Sequence, residues 1–254
     1  MRFLRSTLSS LIYYGGRIGK GTDPGVRILC YHNVNDHEKK YTTVSVSNFK
    51  SQMEFLSQEE YQTLSLKDLL LDQENGHLLK KIVITFDDGW GDNYEHAFPI
   101  LKRLGFKATI FLIADRIGEP DYLTREQIDE MYRYGIQFGS HTLSHPDLTA
   151  LSENDQQNEI VNSRKKLEDQ FHFKVDFFCY PSGLYNQTSV QIVRKAGYLG
   201  ACSNSPGSNR NGQETALLKR TEIGNQDTLF DFEKKIAGAY DLIHQGLHWL
   251  RGKP

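Results

Sequence analysis

Two adjacent carboxylates end a short apolar run in the segment IVITFDDG, residues 82–89. Asp87 and Asp88 follow Phe86 directly, and a glycine comes next. Two acids before a glycine are most often a turn or a helix cap, so the pair alone is a weak signal of catalysis. Neighbouring side chains on an ending strand point in different directions, however, so one acid can bind a cation while the other faces water and substrate.

Two histidines form a second group, in the segment SHTLSHP, where His141 and His145 are four positions apart. Both follow a predicted strand, and Pro146 prevents a helix from continuing past the second imidazole. Two imidazoles and a carboxylate are a common catalytic zinc set that leaves coordination positions open. His244 and His248 have the same spacing, but they lie among apolar residues of a predicted amphipathic C-terminal helix, where packing explains them better.

Short apolar, β-branched runs alternate with helical patterns along the chain. This alternation is typical of βα units around a parallel sheet, which would position these residues. Thr124 and Gln127 form a capping box that begins a helix, and Gly105, Gly135 and Gly197 are each expected to end a helix. The carboxyl ends of parallel strands share one face, where barrel enzymes collect their chemistry. The predicted strands span residues 27–32, 61–66, 81–88, 107–114, 136–141, 175–181, 198–203 and 217–223.

Length and charge limit the functions that this scaffold can serve. The 254 residues fit one α/β barrel domain with a sizeable core. Thirty basic and thirty-two acidic side chains give a net charge of −2, so no overall field attracts nucleic acid or an anionic membrane. The three cysteines lack paired spacing, which indicates reduced core thiols rather than a disulfide framework.

Residues 1–25 are interpreted as an extension to a single domain, residues 26–254, which ends in the C-terminal helix. Serines interrupt the N-terminal apolar patch and no cleavage site follows, so no cleaved signal peptide is expected. The patch is shorter than the roughly 18 apolar residues of a membrane span, although residues 3–18 could form a surface helix on lipid. The expected location is the cytoplasm or the inner face of the cytoplasmic membrane.

The segment GGRIGKG, residues 15–21, departs from the phosphate-loop pattern in its spacing and last residue, so it is not interpreted as a phosphate-binding loop.

Three motifs, TFDDG (85–89), SHTLSHP (140–146) and FCYPSG (178–183), together resemble the polysaccharide deacetylase family, also known as NodB-homology domains or family 4 carbohydrate esterases. The resemblance covers roughly residues 26–223. It implies an α/β fold, a distorted (β/α)7 barrel. It also implies a hydrolase that uses a divalent metal, most simply one zinc ion per chain, to remove N-acetyl groups from an N-acetylated saccharide.

The resemblance assigns roles by motif position. Asp87 would be the general base that activates the attacking water. The backbone N–H of Ser182, which follows Tyr180 and Pro181 in the third motif, would share the developing oxyanion charge. The metal would be held by Asp88, His141 and His145.

Two departures from the family pattern bear on catalysis. Cys179 stands where the third motif usually has an arginine, so another cation must orient the base, and Arg220 is the candidate. The late Leu-x-His motif is absent, but His32 ends the early strand in ILCYHNV and is interpreted as the general acid for the leaving amine. This order resembles the circularly rearranged branch that includes deacetylases of biofilm poly-N-acetylglucosamine.

Other readings of the same residues remain open. A small-molecule amidohydrolase could use the same barrel, and a non-catalytic relative could bind glycans, although Asp87 and His32 would then have no evident use. Trp90, Tyr94 and Tyr185 lie near the motif loops and could stack on sugar faces, but aromatic side chains are more often packed in a core.

Overall fold

The computed structural model describes residues 25–75 and 80–241. The predicted N-terminal surface helix and the C-terminal helix with His244 and His248 therefore lie outside the described residues. Among the described helices, none is both long and apolar enough to cross a membrane.

All eight predicted strands are present, and each is shorter than the apolar run that predicted it. Every pairing between them is parallel, and hydrogen-bonded neighbours follow the order β7-β6-β5-β4-β3-β1-β8. The strands are β1 (Arg27–Tyr31), β2 (Gln62–Leu64), β3 (Lys81–Phe86), β4 (Thr109–Leu112), β5 (Gln137–Ser140), β6 (Phe177–Cys179), β7 (Gly200–Cys202) and β8 (Thr221–Glu222).

The segment 218–222 joins the two ends of this sheet. Leu218 forms a parallel bridge with Cys202 of β7, and Thr221 pairs with Leu29 of β1. β2 stays outside the seven-strand path and pairs with the first half of β3. The fold is therefore the expected distorted (β/α) barrel, and its irregular place is the seam between β7 and β8.

Helices surround the strands, with one exception. Between β7 and β8 the described chain forms only a 3₁₀ turn, Thr215–Leu217, as expected of a stretch rich in Ser, Asn and Gly, residues 203–216. A π-helical turn, Asn93–Ala97, leads into the third helix. The helices are α1 (Val46–Gln58), α2 (Leu66–Asn75), α3 (Phe98–Leu104), α4 (Arg125–Tyr134), α5 (Glu153–Phe171), α6 (Gln187–Lys195) and α7 (Leu229–Ile236).

The helix boundaries follow local sequence signals. The capping box predicted at Thr124 is confirmed, with reciprocal bonds between Thr124 and Gln127 at the start of α4. Gly105 and Gly135 end α3 and α4 in left-handed geometry, at φ 67° and 112°, which a residue with a Cβ adopts only at a cost. These stops turn the chain back into β4 and β5, whose far ends lie at the candidate site.

The core begins at β1, whose five residues are all buried. Tyr31 stacks on Phe86 of β3 and meets the edge of Phe49 from α1, and its hydroxyl donates to Oε1 of Gln52 at 2.8 Å. Fully burying a large apolar side chain such as that of Phe86 stabilises the folded state by about 1.5–3 kcal/mol. The packing sets β1 against β3, and so places His32 beside Asp87.

Candidate active site

Polar residues that follow β1, β3 and β5 meet at the carboxyl end of the barrel. His32 Nε2 lies 3.9 Å from Oδ2 of Asp87, and His141 Nε2 lies 3.5 Å from Oδ1 of Asp88. His145 Nε2 lies 3.6 Å from the same Asp88 oxygen. The structure thus brings together all five of these residues predicted from distant parts of the sequence.

Asp88, His141 and His145 have the geometry of a metal-binding set. The carboxylate-to-imidazole distances of 3.5 and 3.6 Å are too long for hydrogen bonds. Ligands about 2.1 Å from a shared tetrahedral ion lie about 3.4 Å apart, close to these values. His141 Nδ1 is 2.8 Å from the Cys179 carbonyl, which can only accept, so the lone pair of Nε2 faces Asp88.

Two other groups of side chains lie close enough to share an ion, Cys30–His32–Asp87 and Asp87–His141–Cys179. Both include Asp87, whose two oxygens already accept from the Arg220 guanidinium, and a metal cation there would be repelled by that charge. Burial also raises the pKa of the Cys30 and Cys179 thiols, which disfavours the thiolate form that binds metals. The set with Asp88 is therefore the best candidate among the described residues.

The protonation of His141 suits a ligand. Burial lowers the pKa of its imidazole to about 4, against the opposing effect of Asp87. The ring is consequently neutral near pH 7, as metal binding requires.

Asp87 is held by a buried ion pair with Arg220. Both side chains are 2% exposed, and the guanidinium makes two parallel bonds of 2.7 Å to the carboxylate. Burial alone would raise the pKa of Asp87, but Arg220 outweighs it and holds that pKa well below its usual range. The contact expected between Arg220 and Asp87 is therefore present, and the carboxylate is ionised.

Arg220 is itself fixed by the barrel seam. Its Nε donates to the Ser203 carbonyl at 2.9 Å, and Nη2 donates to Oδ1 of Asn204 at 2.6 Å. Nη2 also lies 3.1 Å from the Cys179 sulfur. The guanidinium therefore comes from the residue just before β8 and lies against the sulfur of Cys179.

The loops that carry the site hold backbone conformations that are unusual for residues with a Cβ. Asp88, Thr142, His145 and Ser182 have φ of 72°, 69°, 65° and 54°. Left-handed geometry at a non-glycine residue costs of order 1–3 kcal/mol and is often found at functional sites. Asp88 and Thr142 lie two residues after the ends of β3 and β5, and Ser182 lies three residues after the end of β6.

Glu159 secures the loop between His141 and His145, and the sequence did not single it out. Its Oε2 accepts from the backbone N–H groups of Leu143 and Ser144 at 2.9 and 3.0 Å, and its Oε1 accepts from the Ser144 hydroxyl at 2.7 Å. Glu159 lies on α5, and no motif or spacing in the sequence signals a contact that depends on where that helix packs.

The third motif presents its backbone rather than its aromatic side chain. Tyr180 is fully buried, and its hydroxyl donates to the Ala216 carbonyl at 3.1 Å. Pro181 is buried as well, whereas Ser182 is exposed. Any contribution of Tyr180 to the site therefore comes through its main chain, and the oxyanion role of Ser182 stays a prediction.

The aromatic residues expected near sugar have different surroundings. Tyr94 donates to Glu130 at 2.6 Å and stacks on Phe98, so it packs along α3 and α4. Tyr185 lies beside a cavity of about 400 Å³, at the start of α6. Sugar contact stays a prediction for Tyr185, whose cavity is lined also by Asn186, Gln187, Val190, Gln191, Arg194 and Leu217.

Comparison with known proteins decides the family. The family model described as polysaccharide deacetylase matches residues 75–201. The Bacillus subtilis protein YxkH is 37% identical over 198 residues, which span 77% of this chain and 70% of that protein. The chain belongs to the polysaccharide deacetylase family. Metal-dependent hydrolysis of N-acetyl groups is the activity of that family, and the chain is a hydrolase of this type.

Further relatives extend the comparison. A poly-β-1,6-N-acetyl-D-glucosamine N-deacetylase of Staphylococcus aureus is 32% identical over 66% of this chain, and the match spans 63% of that longer protein. The structure of the Streptococcus pyogenes deacetylase PplD in complex with acetate has a TM-score of 0.79 at 28% identity, covering 84% of this chain and 98% of that one. IcaB from Ammonifex degensii has a TM-score of 0.73 at 26% identity, covering 85% and 97%.

Removing one imidazole tests the metal set. We expect His141→Ala to lose most of its bound divalent ion, because Asp88 and His145 alone leave two ligands. Elemental analysis of the purified protein measures the loss, and the exposed His37→Ala is the control. Full metal occupancy in His141→Ala would remove that residue from the set.

Removing the guanidinium tests the ion pair. We expect Arg220→Gln to lower the free energy of unfolding by about 3–5 kcal/mol near pH 7, because Asp87 is left as an uncompensated buried charge. Urea unfolding measures this, and the control is Arg103→Gln, since Arg103 forms an exposed ion pair with Glu54 worth about 0–1 kcal/mol.

The loss in Arg220→Gln should also depend on pH. In the wild type the folded pKa of Asp87 is depressed, so the stabilisation is present above the usual aspartate range near about 4 and is lost as pH falls through the folded value. Without Arg220, burial raises that pKa, so stability falls as pH rises above about 4. The gap between wild type and variant should therefore widen from pH 4 to pH 7, and a constant gap would contradict the ion-pair account.

Proposed function

We propose that this chain removes N-acetyl groups from a glycan or glycan precursor of the N-acetylglucosamine type, releasing acetate, with one zinc ion. The observation that carries the proposal is the arrangement of Asp88, His141 and His145 around one point, beside a carboxylate held by Arg220. A Staphylococcus aureus relative is named for poly-β-1,6-N-acetylglucosamine, which supports an amino-sugar polymer as the substrate class. Two imidazoles and one carboxylate support zinc as the ion.

Asp87 and His32 divide the proton transfers. Asp87 accepts a proton from the water that attacks the acetamide carbonyl carbon, and Arg220 keeps its carboxylate ionised and oriented. His32 donates a proton to the amide nitrogen as the carbon–nitrogen bond breaks, so that acetate and a free amine leave. This proton transfer is needed because an amine anion would be a very poor leaving group.

The remaining polar groups stabilise charge. A divalent cation bound at the site supplies Lewis acidity, which polarises the carbonyl and acidifies water. The N–H of Ser182 donates to the oxygen that becomes negative, and such a donor typically contributes about 10²- to 10³-fold to the rate. The depressed pKa of Asp87 makes its carboxylate a weak base, so it could take a proton only from a water whose own pKa a bound cation would lower.

An acetate-release assay tests the proposed function. Oligomers of N-acetylglucosamine and simple linear or cyclic amides are offered side by side to the zinc-loaded protein, and acetate and free amine are measured. Release from the oligomers with little from simple amides supports the proposal. Preference for simple amides would make the chain a small-molecule amidohydrolase, and oligomer binding without release would make it a glycan-binding relative.

Replacing the base is the sharpest test of the proton path. We expect Asp87→Asn to keep the metal and lose about 10²- to 10⁴-fold in kcat, because a carboxamide cannot accept the proton. Asp115→Asn, at an exposed ion pair with Lys166, is the matched control. Metal content and the melting temperature are measured alongside kcat, and a near-native rate would exclude Asp87 as the base.

His32 has its own prediction. We expect His32→Ala to lose about 10²- to 10⁴-fold on an N-acetyl amide but little on an activated acetate ester, whose leaving group needs no proton. Rates on both substrates are compared at saturating metal. Equal losses on the two substrates would indicate that His32 supports the structure instead.

The location stays a prediction from the sequence. The residues on which the expected cytoplasmic or inner-membrane location depends, 1–25, are almost wholly outside the described part of the chain. Fractionation of cells with an antibody against the barrel tests the location. Recovery outside the cytoplasmic membrane would overturn it.

A further inference from the structure

Trp90 lies two residues after Asp88 and contacts its carboxylate. The indole Nε1 donates to Oδ2 of Asp88 at 2.9 Å, while Oδ1 faces His141 and His145. The two oxygens of Asp88 are therefore divided between a fixed donor and the proposed metal position. Rotation about χ2 of an aspartate is only weakly restricted by its own rotamer preferences, so a neighbouring group must maintain this division.

Trp90 has the support that such a role requires. Residues 89–91 pair with residues 121–123 through backbone bonds of 2.7 and 2.9 Å. The indole stacks on Tyr122 with ring centroids 4.5 Å apart and an angle of 22°, and the Lys40 ammonium lies 5.5 Å from the indole centroid. Contacts from neighbouring loops thus fix the indole ring in a position where its N–H reaches Asp88.

We infer that Trp90 is a positioning residue for the metal site, which keeps Oδ1 of Asp88 directed at the cation by holding Oδ2. The inference rests on the proposed role of Asp88 as a ligand. It gives Trp90 a different task from sugar stacking, since the ring already packs against Tyr122. A donor to a charged acceptor makes a stronger bond than a neutral pair, and partners of metal ligands typically change metal affinity about 10- to 100-fold.

Two matched variants separate the hydrogen bond from the packing. Trp90→Phe keeps an aromatic ring beside Tyr122 but removes the N–H, whereas Tyr122→Leu keeps the N–H and removes the stacked ring. The zinc dissociation constant of each metal-free protein is measured by competition with a chromophoric chelator. We expect Trp90→Phe to bind zinc about 10- to 100-fold more weakly. We expect Tyr122→Leu to weaken zinc binding less, because the backbone bonds between residues 89–91 and 121–123 still hold Trp90 and its N–H in place.

The controls make a failure informative. His141→Ala tests the metal set itself: if it binds zinc as the wild type does, the proposed site is wrong. If His141→Ala loses zinc while Trp90→Phe keeps wild-type affinity, the site stands and the inference about Trp90 is overturned.

Equal weakening in Trp90→Phe and Tyr122→Leu would assign the effect to loop packing and would also overturn the inference. Should Trp90→Phe fail to fold, benzothienylalanine at position 90 replaces the N–H by sulfur in a ring system of the same shape. The same zinc measurement then decides the question, with weakened binding supporting the inference and unchanged binding overturning it.

Discussion

An ionised carboxylate can lie in the interior of this barrel because Arg220 lies against it. Removing a charge from water is costly, and the cost is offset only when the partner geometry is close to ideal. Here both guanidinium-to-carboxylate bonds are 2.7 Å long, and the guanidinium also contacts the Ser203 carbonyl and the Asn204 side chain. This one contact supports the base of the proposed reaction, the end of β3 and the irregular seam of the barrel.

The candidate metal set, Asp88, His141 and His145, has a different kind of support. Asp88 and His145 occupy left-handed backbone positions, so the loops that carry them would relax without restraint. Glu159 restrains one loop through three hydrogen bonds from α5, and backbone pairing to residues 121–123 restrains the other. The strained backbone of these loops is thus stabilised by helices and loops that take no part in the proposed chemistry, which is common in active sites.

The strand positions could be predicted from sequence because parallel barrel strands are apolar on both faces and end in polar residues. His32, Asp87 and His141 were placed together by that rule alone, since each follows a strand. The end of β3 could not be predicted, because the left-handed backbone at Asp88 follows a strand that already ends at Phe86. Arg220 reaches Asp87 from the segment between β7 and β8, which has only a 3₁₀ turn before it.

Partners distant in sequence were the hardest to foresee. Arg220 was found because Cys179 left an evident need for a cation, so a departure from a motif served as the signal. Glu159 had no comparable signal, since its acceptors are backbone N–H groups that any sequence would supply. The hydrogen bond from the Trp90 indole to Asp88 had no signal either, because it depends on a turn that composition does not reveal.

The seam between β7 and β8 has a consequence for how the protein opens. Leu218, which bridges β7, and Thr221, which pairs with β1, flank Arg220. Proteins open locally before they unfold as a whole, and one parallel bridge, between Leu218 and Cys202, joins this segment to β7. An opening there would withdraw the guanidinium and leave the charge of Asp87 without its partner. Amide exchange at residues 218–222 would therefore report on the catalytic competence of the barrel as well as on its integrity.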